Sequence, residues 1–206
     1  MASLERSEAG LVDYEWQPVV PHEAAELLAG LRAPWWIAGG WAIDLFLGRQ
    51  TRTHADMDIA LLRGTEPTLR ACLAAWDIQI AHDGQFIQWD GGPIEHPYHQ
   101  FWARPNPKSP WALEFMLEEH DDDTWVYRRD ARVTLSIASL GRTTPAGVPH
   151  IGPEVALLYK ARGKGVERNA ADYESAVSAL STEERRWLRD ALILAHPGHT
   201  WIERLR

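Results

Sequence analysis

Two aspartates separated by a single residue, Asp56-Met57-Asp58, are the first residues in this chain whose types and spacing could do chemistry. Residues two apart on a strand project to the same side, so the pair reads as two carboxylates held next to each other. Like charges at that separation repel, and a cation between them relieves the repulsion. Hard carboxylate oxygens suit magnesium, which commonly takes one or two carboxylates together with substrate phosphates. A third carboxylate is available further along. In Trp111 to Leu117 the apolar residues Trp111, Leu113, Phe115 and Leu117 alternate with Ala112, Glu114 and Met116, which puts Glu114 on the polar face of another strand. From a neighbouring strand, Glu114 can complete a three-carboxylate site. Gly39-Gly40 precedes all three, between an apolar run and a helical one. Glycines there let a ligand come close to the backbone and expose amide donors that favour phosphate. Singly, each feature has a plain reading: a turn, a solvated strand edge, a surface glutamate. The order strand, glycine turn, helix, acidic strand, acidic strand is what sets them apart.

The elements that must position these groups follow from periodicity. Ala24, Leu27, Leu28 and Leu31 recur at spacings of three and four, which predicts a helix over Pro21 to Arg32. Trp35 to Ala38 reads as a short buried strand, Trp41 to Leu47 as a helix stopped by Gly48, and Met57 to Leu62 as the strand carrying the aspartates. Glu66 to Trp76 reads as a helix capped by Thr65 and bearing Cys72, a single cysteine expected to act as a small apolar residue. Strands are expected near Ile78–Ala81, Phe86–Trp89, His99–Ala103 and Trp111–Leu117, with a hairpin connection at Pro145-Ala146-Gly147. Beyond Gly152 the chain turns helical: Val155 to Tyr159, a loosening at Gly163 and Gly165, Ala170 to Leu180, and a capped start at Ser181-Thr182-Glu183-Glu184. These elements imply a mixed α+β fold, with a catalytic domain over 1–150 and a helical lobe over 151–206.

Arg49, Arg52 and His54 lie in the loop just before the aspartates. They are either surface support or phosphate contacts, for which the planar arginine fork is suited. The acidic run Glu118 to Asp123 is either a solvated loop or an attractor for an ammonium-bearing acceptor. His96, His99 and His120 form no metal pattern. Neither the dinucleotide fingerprint nor the Walker phosphate loop is present, so a Rossmann dehydrogenase or P-loop kinase has no support.

The 206 residues include 21 Lys and Arg against 29 Asp and Glu, a net charge of -8, which disfavours a nucleic acid partner and suits a cationic small molecule better. The 45% hydrophobic content supplies a sizeable core, to which most of the 11 tryptophans are expected to contribute. The longest apolar stretch, Pro34 to Leu47, is interrupted by Gly39, Gly40 and Asp44 and falls short of the roughly 18 residues a span requires. The amino terminus has acidic residues where a signal peptide would be basic, and the expected location is cytoplasmic.

The runs Ala38-Gly39-Gly40-Trp41-Ala42-Ile43-Asp44-Leu45, Gly48-Arg49-Gln50-Thr51-Arg52 and His54-Ala55-Asp56-Met57-Asp58-Ile59 resemble the signature of the aminoglycoside 2''-adenylyltransferase and lincosamide nucleotidyltransferase group, within the DNA polymerase beta-like nucleotidyltransferase superfamily. The resemblance continues through Leu113 to Leu117 and Glu154 to Lys160, covers roughly residues 25 to 180, and fades at both ends. It implies the polymerase beta-like mixed sheet with helices, two magnesium ions, and transfer of AMP or another nucleoside monophosphate from ATP or another nucleoside triphosphate to a hydroxyl. By that likeness Asp56 and Asp58 match the metal-binding pair, Gly39 and Gly40 the turn on the triphosphate side, and Glu114 the third carboxylate, as metal ligand or as general base alone. Lys160 matches a lysine on the helix after the catalytic domain and is the implied phosphate contact; Arg52, from the loop arginines, is the other expected one. Asp172 also matches a family position, but Arg168-Asn169-Ala170 departs from the Lys-Asp-rich pattern around it, which leaves it a structural role. The implied acceptor is a small hydroxylated molecule such as an aminoglycoside or lincosamide antibiotic. A protein or transfer RNA acceptor keeps the chemistry, and a catalytically silent binding module keeps only the fold.

Overall fold

The computed structural model describes residues 4–7, 10–162 and 166–206, so the expected loosening at Gly163 and Gly165 lies outside the described residues. In chain order the elements are β1 (Leu4–Ser7), β2 (Gly10–Asp13), α1 (Pro21–Leu27), β3 (Trp35–Ile37), α2 (Gly39–Leu47), β4 (Asp58–Leu62), a 3-10 turn (Glu66–Leu69), α3 (Arg70–Leu73), β5 (Asp77–His82), β6 (Gln85–Gln88), β7 (Gln100–Arg104) and β8 (Leu113–Asp121). They continue with β9 (Thr124–Val126), β10 (Thr134–Ser136), α4 (Ile137–Leu140), β11 (Gly141–Thr143), β12 (Pro149–Ile151), α5 (Pro153–Lys160), α6 (Val166–Ala176), α7 (Thr182–Ala195) and α8 (Trp201–Arg204). This is a mixed α+β fold with helices following the sheet strands. Among the described residues no helix is long and apolar enough to cross a membrane.

Packing divides the chain into two compact units, residues 1–37 with 54–118, and residues 38–53 with 119–206. In the first, the strand order is β3-β4-β8-β7-β5-β6. β4 and β8 run parallel, and the other neighbours in this path are antiparallel. One face of this sheet is the unit's core. Ile59, Leu61, Phe101, Phe115 and Leu117 are fully buried, and the Phe101 and Phe115 rings stack at 4.9 Å across β7 and β8. The alternation along β8 therefore has the predicted sense, with Leu113, Phe115 and Leu117 buried and Glu114 and Met116 half-buried.

The expected Glu66–Trp76 helix is shorter and broken. Thr65 does not cap it; its hydroxyl donates back to the Leu62 carbonyl at 2.6 Å. The buried Glu66 carboxylate instead accepts from the Gly64 and Ile94 backbone amides, at 2.7 and 2.6 Å. These bonds tie the turn to a distant loop, and residues 74–76 form a turn that leads into β5 at Asp77. Cys72 is a half-buried residue of α3. Of the tryptophans, Trp89, Trp102, Trp111, Trp125 and Trp201 are buried, and the others are half-buried.

In the second unit α2 packs against α5, α6 and β12, and α5 against α7. Gly147, at φ 85°, turns the β11–β12 hairpin where Pro145-Ala146-Gly147 predicts it. The Ser181 capping box is formed: its hydroxyl accepts from the Glu184 amide at 3.2 Å, and the Glu184 carboxylate accepts from the Ser181 amide at 2.8 Å. Arg142 on β11 bridges Glu154 and Glu184, each at 3.1 Å, which fastens the starts of α5 and α7.

Candidate active site

Sheet register brings two of the three predicted carboxylates together. Asp58 opens β4 and is the direct partner of Glu114 in the parallel pair with β8, and the Glu114 amide donates to the Met57 carbonyl at 2.9 Å. Residues paired across adjacent strands point to the same face, so the Asp58 and Glu114 side chains leave the sheet together. Asp56 arrives differently from the expectation that both aspartates sit on one strand. β4 begins at Asp58, and Asp56 lies in the irregular segment before it. The three side chains still converge: one carboxylate oxygen from each of Asp56, Asp58 and Glu114 lies within 4.8 Å of the others, and all three residues are half-buried. Among the described residues this is the group of His, Cys, Asp and Glu side chains able to hold a metal ion. Half-buried carboxylates at this spacing repel at neutral pH, and hard oxygens on one face fit magnesium.

Gln100, not anticipated from the sequence, completes the immediate surroundings of Glu114. Its amide donates to Glu114 Oε1 at 2.5 Å from β7, fixing one oxygen of the carboxylate. Nothing in the local sequence marks it, since the contact depends on the β7–β8 register, Gln100 opposite Met116 and Trp102 opposite Glu114.

Gly39 and Gly40 are the first two residues of α2, so the helix begins at the glycines themselves rather than at Trp41. Gly39 has φ 59°, a left-handed conformation that side chains with a Cβ resist. Gly48, at φ 67°, ends the helix. The loop that follows is held by Asp44, to which the sequence assigns no role of its own: buried at 3% exposure, its Oδ1 accepts from both the Thr51 amide, at 3.1 Å, and the Thr51 hydroxyl. Arg49 is exposed and His54 buried.

Arg52 and Lys160 meet on Asp172. Arg52 donates through Nε and one terminal nitrogen to the two carboxylate oxygens at 2.9 and 3.1 Å, and Lys160 Nζ lies 2.7 Å from Oδ2. Burial pushes the Asp172 carboxyl up, but the Arg52 hydrogen bond and the Lys160 charge outweigh it and hold the group below its ordinary value of 3.8. Asp172 thus has a defined role: it orients two cations from separate segments. Asn169, one turn earlier on α6, donates to the Lys160 carbonyl at 3.0 Å and anchors the end of α5.

The acidic run expected near an acceptor is divided. Glu118 is buried at 3% exposure and lies four residues along β8 from Glu114, about 13 Å of strand. Asp121 ends β8, and Asp122 and Asp123 form the turn that leads into β9; all three are exposed, with Asp122 at φ 46°.

Parts of the chain and its fold are similar to known proteins. Residues 21–95 match the model of the Aminoglycoside-2''-adenylyltransferase family. Curated 2''-aminoglycoside nucleotidyltransferases of Escherichia coli and Klebsiella pneumoniae are 65% identical over 26 residues, a stretch that is 13% of this chain and spans only 15% of the length of those relatives. Among solved structures, ANT(2'')-Ia in complex with adenylyl-2''-tobramycin aligns with a TM-score of 0.55 at 21% identity, covering 82% of this chain and 92% of that one. The lincosamide antibiotic adenylyltransferase LnuA, lincomycin-bound, aligns with a TM-score of 0.53 at 17% identity, covering 80% of this chain and all of that one. The fold is that of these nucleotidyltransferases, and the resemblance read from the glycine pair and Asp-x-Asp lies within the matched segment.

Proposed function

We propose that this protein is a magnesium-dependent nucleotidyltransferase that moves AMP from ATP to a hydroxyl of a small molecule of the aminoglycoside or lincosamide kind, releasing pyrophosphate. The observation that carries the proposal is the convergence of Asp56, Asp58 and Glu114 within 4.8 Å on the fold of the antibiotic adenylyltransferases. An idle binding module has no need to keep three mutually repelling carboxylates together.

In the reaction the acceptor oxygen bonds to the α-phosphorus as the bond from that phosphorus to the bridging oxygen of the β-phosphate breaks, and pyrophosphate leaves. Asp56 and Asp58 would hold magnesium, with Glu114 as third ligand or as base alone. Magnesium, when bound, neutralises charge on the attacking and leaving oxygens of such an in-line displacement. Glu114 takes the proton from the acceptor hydroxyl through a carboxylate whose other oxygen Gln100 holds in place.

Gly39, Gly40, Arg52 and Lys160 are proposed for the phosphates on their own chemistry. The α2 amino terminus presents the backbone amides of a helix start, and the glycines carry no Cβ to block an approaching phosphate. Arg52 and Lys160 supply positive charge already oriented by Asp172, so little ordering is left for the moment of binding.

The deciding experiment incubates the protein with ATP, magnesium and a panel of aminoglycosides and lincosamides, reading pyrophosphate release and product mass. An acceptor heavier by one AMP, formed only with magnesium and only when Asp58 is intact, is the expected result. No magnesium-dependent ATP binding and no transfer to any acceptor would sink the reading.

A further inference from the structure

Within the unit formed by residues 1–37 and 54–118, a cavity of about 640 Å³ opens between α1, the turn after α3 and the connection from β7 to β8. That volume falls in the range of small-molecule sites, roughly 300–1,000 Å³. Its walls are mostly apolar, with Pro18, Trp76, Pro105 and Pro110 prominent, and its charged groups are Glu23 and Glu26 of α1. Among the described residues no lysine, arginine or histidine borders it, and neither do Asp56, Asp58, Glu114 and Gln100. The walls are set before any ligand arrives. The Gln17 and Val19 amides donate to the Trp111 and Ala112 carbonyls at 2.9 and 3.3 Å, and the proline rings have a fixed φ.

Local structure accounts for one of the two glutamates and not for the other. Glu23 Oε2 accepts from the Val20 amide at 2.9 Å, which fastens the entry to α1. Glu26 lies in the last turn of α1, where the helix carbonyls repel a carboxylate, and three residues after Glu23, so that two like charges share one side of the helix. Both arrangements cost stability. Glu26 is exposed, and among the described residues its carboxylate makes no hydrogen bond and no ion pair that would offset the cost. Trp76 is half-buried, packs on no other ring and has no cation of this chain over its face. The cavity thus brings together an unpaired carboxylate and an unoccupied indole, and the chain supplies neither with a positive charge.

The groups on the walls select the ligand. Two carboxylates accept N–H donors and exclude an anion, and an indole attracts a cation through its ring face. The proline walls suit an apolar body. We propose that this cavity binds a small organic cation, a primary ammonium or guanidinium carried on an apolar body, with its charged head at Glu26 and the remaining oxygen of Glu23 and its body against Trp76 and the prolines. The site is separate from the three-carboxylate centre and stands independently of the nucleotidyl-transfer reading.

The test is a titration of the ¹⁵N-labelled protein, at constant ionic strength, with 2-phenylethylammonium and separately with its neutral counterpart 2-phenylethanol, following the indole N–H signal of Trp76 assigned by its loss in Trp76→Phe. The expected result is a saturable shift with the ammonium and binding of the alcohol weaker by about threefold or more. Glu26→Gln should weaken the ammonium by about two- to fivefold, the range of an exposed ion pair, and should melt no lower than wild type, because its carboxylate has no partner to lose. Trp76→Leu, read by titration calorimetry, should weaken it by about two- to thirtyfold, the range of a cation over an indole. The shift should persist in Asp58→Ala, in which the carboxylate trio is broken. An indole signal unmoved by about 10 mM of the ammonium, or equal affinity for the alcohol, overturns the cation site. A shift that vanishes in Asp58→Ala overturns it as well, since the cation would then sit at the carboxylate trio, and none of these outcomes touches the nucleotidyl-transfer reading.

Discussion

Replacing Asp172 by Asn should cost the protein about 3 kcal/mol, and the geometry says why the figure is that large. The side chain is 2% exposed and serves Arg52 and Lys160 at 2.7 to 3.1 Å, while those partners are themselves 22% and 11% exposed. Breaking a buried ion pair typically costs about 3–5 kcal/mol, because the partner charge is left desolvated and uncompensated. Access of water to Arg52 puts the expectation at the lower end. For a chain of this size that is a fall in melting temperature of about 6–12 °C. Arg52→Met should cost less, since Asp172 keeps Lys160. The acid limb supplies a second, independent check. Because the folded carboxyl sits below its unfolded value of 3.8, its contribution is complete above that value and is lost as pH falls through the folded one. The gap between wild type and Asp172→Asn, followed by calorimetry or circular dichroism, should therefore be full at pH 7 and narrow below pH 4. A variant that melts within about 2 °C of wild type at pH 7, or a gap that ignores pH, would refute the clamp.

Asp58→Ala should leave the magnesium-free protein at least as stable as wild type, since it removes one of three repelling charges, yet abolish any rise in melting temperature on adding magnesium; transfer should fall by about a thousandfold or more, and unchanged turnover would remove the metal-pair assignment. Glu114→Gln should retain ATP binding with magnesium and lose about 100- to 10,000-fold in kcat, the range of general-base catalysis, and an unaltered rate would relegate Glu114 to surface. His150, His196 and His199 are each held below their ordinary 6.5, chiefly by burial. The unfolded chain therefore gains protons that the folded one refuses as pH drops through 6.5, and the urea midpoint should decline from pH 7.5 to 5.5, with a shallower slope in His150→Asn. A slope no shallower in that variant would show that His150 does not contribute.

Much of the site could be read from the chain because its determinants are local. A glycine pair between an apolar run and a helix, an Asp-x-Asp at the edge of an apolar run, and a glutamate at the polar phase of an alternating strand each express a short-range rule. The Ser181 cap and the turn at Gly147 were legible for the same reason. The Glu66–Trp76 helix shows where local rules stop. Its propensity was overruled by Glu66 reaching the Ile94 amide, 28 residues away in sequence.

What the sequence by itself determined, then, is which side chains carry charge, which runs alternate, and that three carboxylates and a glycine turn occur in an order that resembles a nucleotidyltransferase signature. Tertiary structure alone decided which groups meet. That Gln100 holds Glu114, that Trp102 sits beside it, that Asp44 pins the loop through Thr51, and that Asp172 joins Lys160 to Arg52, 120 residues before the aspartate, all depend on strand register or helix packing. The physical reason is that register is a collective property. A slip of one residue between β7 and β8 would turn Gln100 and Trp102 to the opposite face, and the cost of moving a whole set of side chains between core and solvent, rather than any preference of those two residues, is what forbids it.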